Sequence, residues 1–263
     1  MLAELGFKKM PFDKSIKVQD LYKSNDANEI EVRFEYLKQF RGILLLTGEP
    51  GSGKTVMLRK FVHGLNPASY EHCYSPHTTV SKTEFYRQLN SLLKLIPKSS
   101  KSILFNQIQN GLWDLYKNQG KIPCLILDEC HLMDDNTLEE LVLLTNFEMD
   151  SQMPLILILS GFHDLAEKLK RRRHESLNQR VTMRYHMSGM DCDDTKNFII
   201  HHLKTAGRSD PLFNDSAYEV ITKLSMGLPR KVGNLCLNAM TLASVKGLST
   251  IDGDVVHKAM GGV

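Results

Sequence analysis

The chain has 263 residues, 42% of them hydrophobic and 24% charged, with a formal net charge of +3; the length suits two modules and the composition excludes extensive disorder or low complexity. Its longest apolar runs, 42–46 and 154–159, are strand-sized and far below the roughly 20 residues of a bilayer-spanning helix; no charged leader with a long apolar segment opens the chain, so a cytoplasmic location and no membrane partner are expected. Five scattered cysteines, Cys73, Cys124, Cys130, Cys192 and Cys236, form no Cys-x-x-Cys pair, against a disulfide framework or zinc knuckle, and the small net charge leaves a nucleic-acid partner open.

Asn25 or Asp26 can cap a first helix carrying Ile30, Val32, Phe34, Leu37 and Phe40. Residues 42–47 read as an apolar strand, 48–53 as a glycine-rich turn and 54–65 as a helix with Val56, Leu58, Phe61 and Val62 spaced for burial. A second strand follows at 70–75, then helices at 82–96 and 102–118 around the polar segment 97–101. Further strands are predicted at 122–128, 155–160 and 181–186, with a helix at 135–149 and a basic run at 170–173 before the last strand. Strands that are apolar along their whole length and alternate with helices imply a parallel sheet covered on both faces. From Ser188 the pattern is helical only, at 193–206, 215–225, 230–245 and a short stretch from Asp252. The expected fold class is α/β, a doubly wound parallel sheet followed by a small all-helical lid: an opening segment and helix at 1–41, a core at 42–187 and a lid at 188–263.

Gly48-Glu49-Pro50-Gly51-Ser52-Gly53-Lys54-Thr55 satisfies G-x-x-x-x-G-K-[ST] between a strand and a helix. Its glycines let backbone N–H groups wrap phosphates, Lys54 reaches the outer phosphates and the Thr55 hydroxyl ligates Mg²⁺; Val56 completes the nucleotide-binding set. Cys124-Leu125-Ile126-Leu127-Asp128-Glu129 ends an apolar strand in two acids, which assigns Asp128 to Mg²⁺ and Glu129 to water activation in ATP hydrolysis. Asp128-Glu129-Cys130-His131 also spells a helicase box, but the residues after it read as a helical end region and not a second sheet. His131 reads more simply as a helix-capping or exposed histidine than as a nucleotide sensor. Gly227-Leu228-Pro229-Arg230 stops one helix and starts the next, leaving Arg230 on the first turn, able to swing toward the phosphates as the lid closes. Arg171, Arg172 and Arg173 in the basic run, Lys98, Ser99 and Lys101 in the polar segment, and Thr79, Ser81 and Lys82 before it are candidate DNA-phosphate contacts.

The sequence resembles AAA+ ATPases of the ExeA-like and TniB/TnsC/IstB-like family over nearly its full length. The matching motifs are Phe7-Lys8-Lys9-Met10-Pro11-Phe12 before Leu21-Tyr22, the phosphate loop, Leu127-Asp128-Glu129, Asn146-Phe147-Glu148-Met149-Asp150, Leu177-Asn178-Gln179-Arg180 and Gly227-Leu228-Pro229-Arg230. The resemblance implies that Ser160 touches the γ-phosphate or attacking water and that Arg180 is presented to a neighbouring subunit's nucleotide. It also implies an ATP-dependent regulator of DNA transposition, a ring or helical filament on double-stranded DNA that marks a target and recruits or activates a DDE transposase; hydrolysis resets the assembly, and choice of the target by a target-selecting protein, by an RNA-guided complex or by DNA shape stays open. An extra helix after the second strand faces DNA in such relatives, which points to 79–101. The chain departs at Cys130-His131, where many relatives have Ala-Gln or Ala-His, and at Ser160, where many have a small residue. Secretion-linked members carry a membrane helix and a cell-wall-binding extension; the chain ends at Val263 with neither, so transposition is the expectation and an ATPase acting on protein is the alternative.

Overall fold

The computed structural model describes residues 5–13, 15–76 and 79–260; the opening Met1 to Glu4 and the terminal Val263, on which the expectations of no leader and no extension rested, lie outside them. Internal contacts divide the chain into two units: Ile30–Glu49 with Lys54–Met187, and Met1–Glu29 with Pro50–Gly53 and Ser188–Val263.

The larger unit is an open parallel sheet wrapped by helices. Helix α1 (Asn25–Phe40) is capped by Ser24, whose Oγ accepts from the Ala27 N–H at 3.2 Å, and not by Asn25 or Asp26. Its Ile30, Phe34 and Leu37 form one buried stripe, whereas Val32 and Phe40 are 68% and 56% exposed because they fall outside that 3.6-residue face. Strand β1 (Gly42–Gly48) runs into helix α2 (Lys54–His63), followed by β2 (Tyr70–Ser75), α3 (Lys82–Leu92), α4 (Lys101–Lys117) and β3 (Ile122–Leu127). Then come α5 (Asp135–Leu144), β4 (Ile156–Gly161), α6 (His163–Leu169), α7 (Glu175–Arg180) and β5 (Val181–Met187). The five strands are parallel in the order β2-β3-β4-β1-β5. β1 and β4 are buried at every position, as strands covered on both faces must be. Alternate residues Ile43, Leu45, Leu125, Leu127, Leu157 and Leu159 join Phe85, Leu104, Ile108 and Leu138 in one core.

Two stretches differ from the sequence expectation. The helix predicted to 149 stops at Leu144, because Glu148, Met149 and Asp150 all take left-handed backbone with φ of 49°, 54° and 67°, which no right-handed helix contains. Phe147 anchors this turn by stacking on Trp113 at 5.7 Å. Between β4 and β5, the basic run links α6 to α7, with Arg172 and Arg173 in a 3-10 turn Arg172–His174, and His174 is buried with Nε2 3.1 Å from Asp135 Oδ1.

The smaller unit gathers α8 (Cys192–Thr205), α9 (Asp215–Ser225), α10 (Pro229–Lys246) and α11 (Gly253–Met260) around Ile199, Ile221, Val232, Met240 and Val256. Its core also takes Leu5 and Phe7. The Lys8 N–H donates to Ala206 O at 2.9 Å, Phe12 stacks on His202 at 5.0 Å, and the Tyr22 hydroxyl donates to Asp194 Oδ1 at 2.9 Å. The opening motif is therefore packing for the helical unit. Gly227, at φ 66°, has no room for a side chain, since a Cβ would lie 1.8 Å from Met190 O. Cys73, Cys124, Cys130 and Cys236 are buried, Cys192 is exposed and all are free thiols. Among the described residues no helix is long and apolar enough to cross a membrane.

Candidate functional site

Parallel strands deliver their C-terminal ends, and the loops that follow them, to one edge of the sheet. The register Leu46↔Ser160 and Leu127↔Leu159 brings Ser160 and Asp128 next to each other there, with Gly48 two residues beyond the partner of Ser160 on β1. β1 leaves through Gly48, and α2 begins at Lys54.

The phosphate loop has the form its glycines permit. Gly51 and Gly53 sit at φ 87° and 105°, a region costly for residues with a Cβ. A Cβ on Gly51 would also come within 2.8 Å of Arg230 Cβ, and the Arg230 N–H donates to Gly51 O at 3.3 Å. Arg230 starts α10 with its side chain exposed. Lys54 is 5% exposed; its ammonium donates to the loop's own carbonyls, Gly48 O at 2.8 Å and Glu49 O at 3.1 Å, and lies 5.0 Å from the Phe162 ring centre. The Ser52 hydroxyl is buried with no hydrogen-bond partner among the described residues. A buried hydroxyl without a partner and a buried ammonium are each donors of the kind that phosphate oxygens satisfy.

Asp128, 2% exposed, is the hub of the acidic end. Oδ2 accepts from the Thr55 hydroxyl at 2.9 Å and the Tyr74 hydroxyl at 3.0 Å, while Oδ1 accepts from the Ser160 hydroxyl at 2.7 Å and the Glu129 N–H at 3.0 Å. Burial, together with the neighbouring Asp128 carboxylate, pushes the Tyr74 phenol well above its ordinary value. Glu129 is a non-glycine residue at φ 55°, ψ 34°, a strained conformation that concentrates at functional positions. His131 does not cap a helix and is not exposed: its side chain is 10% accessible, lies 3.4 Å from Glu129 Oε2 and stacks on Phe162 at 3.9 Å. Burial lowers its pKa, with the Glu129 charge pulling the other way.

Thr55 and Asp128 offer the hard oxygen donors that suit Mg²⁺, which takes few protein ligands and completes its shell with phosphate oxygens and water. No group of three or more His, Cys, Asp or Glu side chains able to hold a metal occurs among the described residues. Val56 is exposed on the first turn of α2.

The other predicted site residues divide. Arg180, the last residue of α7, is ion-paired with Asp150 of the left-handed turn. Lys82 and Lys101 both reach Glu140, at 3.1 and 2.8 Å, and Arg173 pairs with Glu139. Ser81 caps α3, accepting from the Glu84 N–H. Thr79, Lys98, Ser99, Arg171 and Arg172 are exposed. Sequence reasoning missed Tyr74 and Phe162; Tyr74 carries only a weak sequence mark, a hydroxyl-bearing aromatic one residue before the end of β2.

A family model for the AAA domain matches residues 38–169. General secretion pathway protein A of Aeromonas hydrophila is 29% identical over 254 residues, covering 95% of this chain and 46% of that protein, so the chain spans about half the length of that relative. Among solved structures, the Aeropyrum pernix ORC2 protein superposes with a TM-score of 0.72 at 14% identity, over 97% of this chain and 72% of that one. Drosophila ORC bound to DNA gives 0.64 at 15%, over 98% and 63%. The Thermotoga maritima RuvB Holliday junction branch migration motor gives 0.60 at 18%, over 98% and 72%. At such identities these likenesses speak for the fold alone. The matched segment holds both the phosphate loop after β1 and the acids after β3, and the chain belongs to the AAA domain family, with the fold of a P-loop ATPase.

Proposed function

We propose that the chain hydrolyses ATP to ADP and phosphate and uses the cycle to assemble with like subunits, as a ring or filament, on double-stranded DNA, marking a target and recruiting or activating a DDE transposase. The observation that carries the chemistry is the Asp128 hub, which joins the loop hydroxyl Thr55 to the end of β4 and sets Glu129 beside it. Lys54 exchanges its loop carbonyls for the outer phosphate oxygens of ATP, and the backbone N–H groups at the start of α2 face the same phosphates. Glu129 takes a proton from water as the new oxygen–phosphorus bond forms; the bond to the bridging oxygen breaks and ADP leaves with that oxygen. Thr55 and Asp128 would hold a Mg²⁺ ion arriving with the nucleotide, and its charge would offset that of the phosphates.

Support for DNA and transposition comes from motifs spread from Phe7 to Arg230 and from exposed cations at Lys98, Lys170, Arg171 and Arg172; two of the similar structures are of proteins described as bound to DNA or as a branch migration motor. A second reading, an ATPase acting on protein in secretion, is favoured by the 29% identity to general secretion pathway protein A. Since the chain covers 46% of that relative, its end at Val263 does not weigh between the two.

Electron microscopy with a slowly hydrolysed ATP analogue, with and without double-stranded DNA, and ATP turnover under the same conditions test the proposal. Ordered assemblies that need both components, retained in Glu129→Gln without turnover and lost in Lys54→Ala, are expected. Rings formed without DNA, with turnover indifferent to it, would establish the protein-directed reading instead; strand separation would mark a helicase.

A further inference from the structure

We propose that Tyr74 is a positioning residue for the catalytic Mg²⁺, fixing the metal-side oxygen of Asp128 from the neighbouring strand. This rests on the assignment of Thr55 and Asp128 to the metal. The ladder pairs Tyr74 with Ile126 and Ser75 with Leu127, and the Asp128 N–H donates to Ser75 O at 2.9 Å, so β2 accompanies β3 to its very end and brings the phenol alongside the carboxylate.

A carboxylate has about four acceptor positions, and protein donors fill four on Asp128, two on each oxygen; a metal held here would take the position that the Thr55 hydroxyl now fills, leaving Tyr74 on the same oxygen. These donors are not equivalent. The Ser160 hydroxyl and the Glu129 N–H hold Oδ1, while Oδ2 is shared by Thr55, itself a metal ligand, and Tyr74. Tyr74 is thus the non-ligand side chain on the oxygen that faces the ligand hydroxyl. With Asp128 2% exposed, water is poorly placed to replace the phenol, and loss of its bond frees the carboxylate to turn about the bond to Cβ. Partners that orient metal-ligating groups in this way typically change metal affinity or activity by about 10–100-fold when removed.

The test is Tyr74→Phe, which deletes only the hydroxyl, with Tyr70→Phe as its control. Tyr70 lies on the same strand and its hydroxyl donates to Lys38 O at 3.3 Å, away from Asp128. Binding of a fluorescent ATP analogue is measured in excess Mg²⁺ and in EDTA, alongside the Mg²⁺ concentration that half-saturates turnover and the urea midpoint without nucleotide. Tyr74→Phe is expected to raise the half-saturating Mg²⁺ concentration about tenfold and to shrink the Mg²⁺-dependent gain in nucleotide affinity correspondingly. Binding in EDTA stays unchanged, and Tyr70→Phe leaves all Mg²⁺ readouts alone. Thr55→Ala separates the two layers of the inference. If Thr55→Ala abolishes the Mg²⁺ dependence and Tyr74→Phe does not shift it, Tyr74 has no positioning role. If Thr55→Ala leaves that dependence intact, the metal assignment itself is wrong and the proposal goes with it. Equal shifts in both Tyr→Phe variants would reduce the effect to strand packing and overturn the proposal.

Discussion

Ser160→Ala separates two accounts of the residue at the end of β4. The family resemblance assigns Ser160 to the γ-phosphate or the attacking water, whereas the structure has its hydroxyl donating to Asp128 at 2.7 Å. Ser160 is fully buried and Asp128 is 2% exposed, so solvent cannot replace the lost donor. A hydrogen bond to a charged group contributes about 1.5–3 kcal/mol. Alanine leaves almost no cavity, and Asp128 keeps donors at Thr55, Tyr74 and Glu129, which places the loss near the lower end, about 1.5–2 kcal/mol. For a unit of this size that lowers the melting temperature by roughly 3–8 °C. The assay is thermal and urea unfolding in EDTA without nucleotide, followed by circular dichroism, beside ATP turnover. Loss of both stability and turnover is expected. Unchanged nucleotide-free stability with lost turnover would refute the reasoning, because the serine would then act on phosphate without holding Asp128.

Glu140, with a side chain 6% exposed, is unfavourably buried, but hydrogen bonds from Lys101, Tyr86 and Lys82 outweigh burial and hold its carboxyl below the ordinary 4.5. Its stabilising contribution is therefore present above pH 4.5 and lost as pH falls through the lower folded value; Glu140→Gln should cost about 1–3 kcal/mol at neutral pH and flatten the acid limb of the urea-midpoint profile. His202 is pushed down by burial, and further by His201, from 6.5 to about 4. The unfolded chain then binds a proton that the folded chain refuses, so stability falls as pH drops from 6.5 to 4 by at most about 3 kcal/mol; His202→Phe should remove that slope from a denaturation series. Met149 is 97% exposed at φ 54°, so Met149→Gly loses no burial, relieves left-handed strain and should stabilise by up to about 1 kcal/mol, read as a raised urea midpoint.

What the sequence discloses, and what it conceals, follows from the range of each interaction. β1 and β4 are legible because a strand buried on both faces must be apolar at every step, and the phosphate loop is legible because its donors and glycines are contiguous. Boundaries shift where a cap competes, as Ser24 does at α1. The turn after α5 was hidden because Glu148 and Met149 are not residues that announce left-handed backbone and Asp150 alone is of a type that adopts it readily, and α6 and α7, at 7 and 6 residues, are too short for a helical period. Tyr74 could not be found in this way: its partner lies 54 positions away, and only the pairing of β2 with β3 brings them together.

That same long-range pairing decides which cations a polyanion can use. Helix α5 presents Asp135, Glu139 and Glu140, and residues from both predicted basic patches converge on it: Lys82 and Lys101 on Glu140, Arg173 on Glu139, and His174 on Asp135. Moving the two lysines to a phosphate backbone would strip a nearly buried carboxylate of its counter-charges, a cost that exposed ion pairs do not carry. Among the described residues Lys98, Arg171 and Arg172 pair with no buried acid, and Lys170 pairs with the exposed Glu167. A DNA-binding face built on this chain would therefore draw its counterion-releasing charges from the segment between α3 and α4 and from the turn after α6, while the lysines that start those two helices keep α3, α4 and α5 locked together behind it.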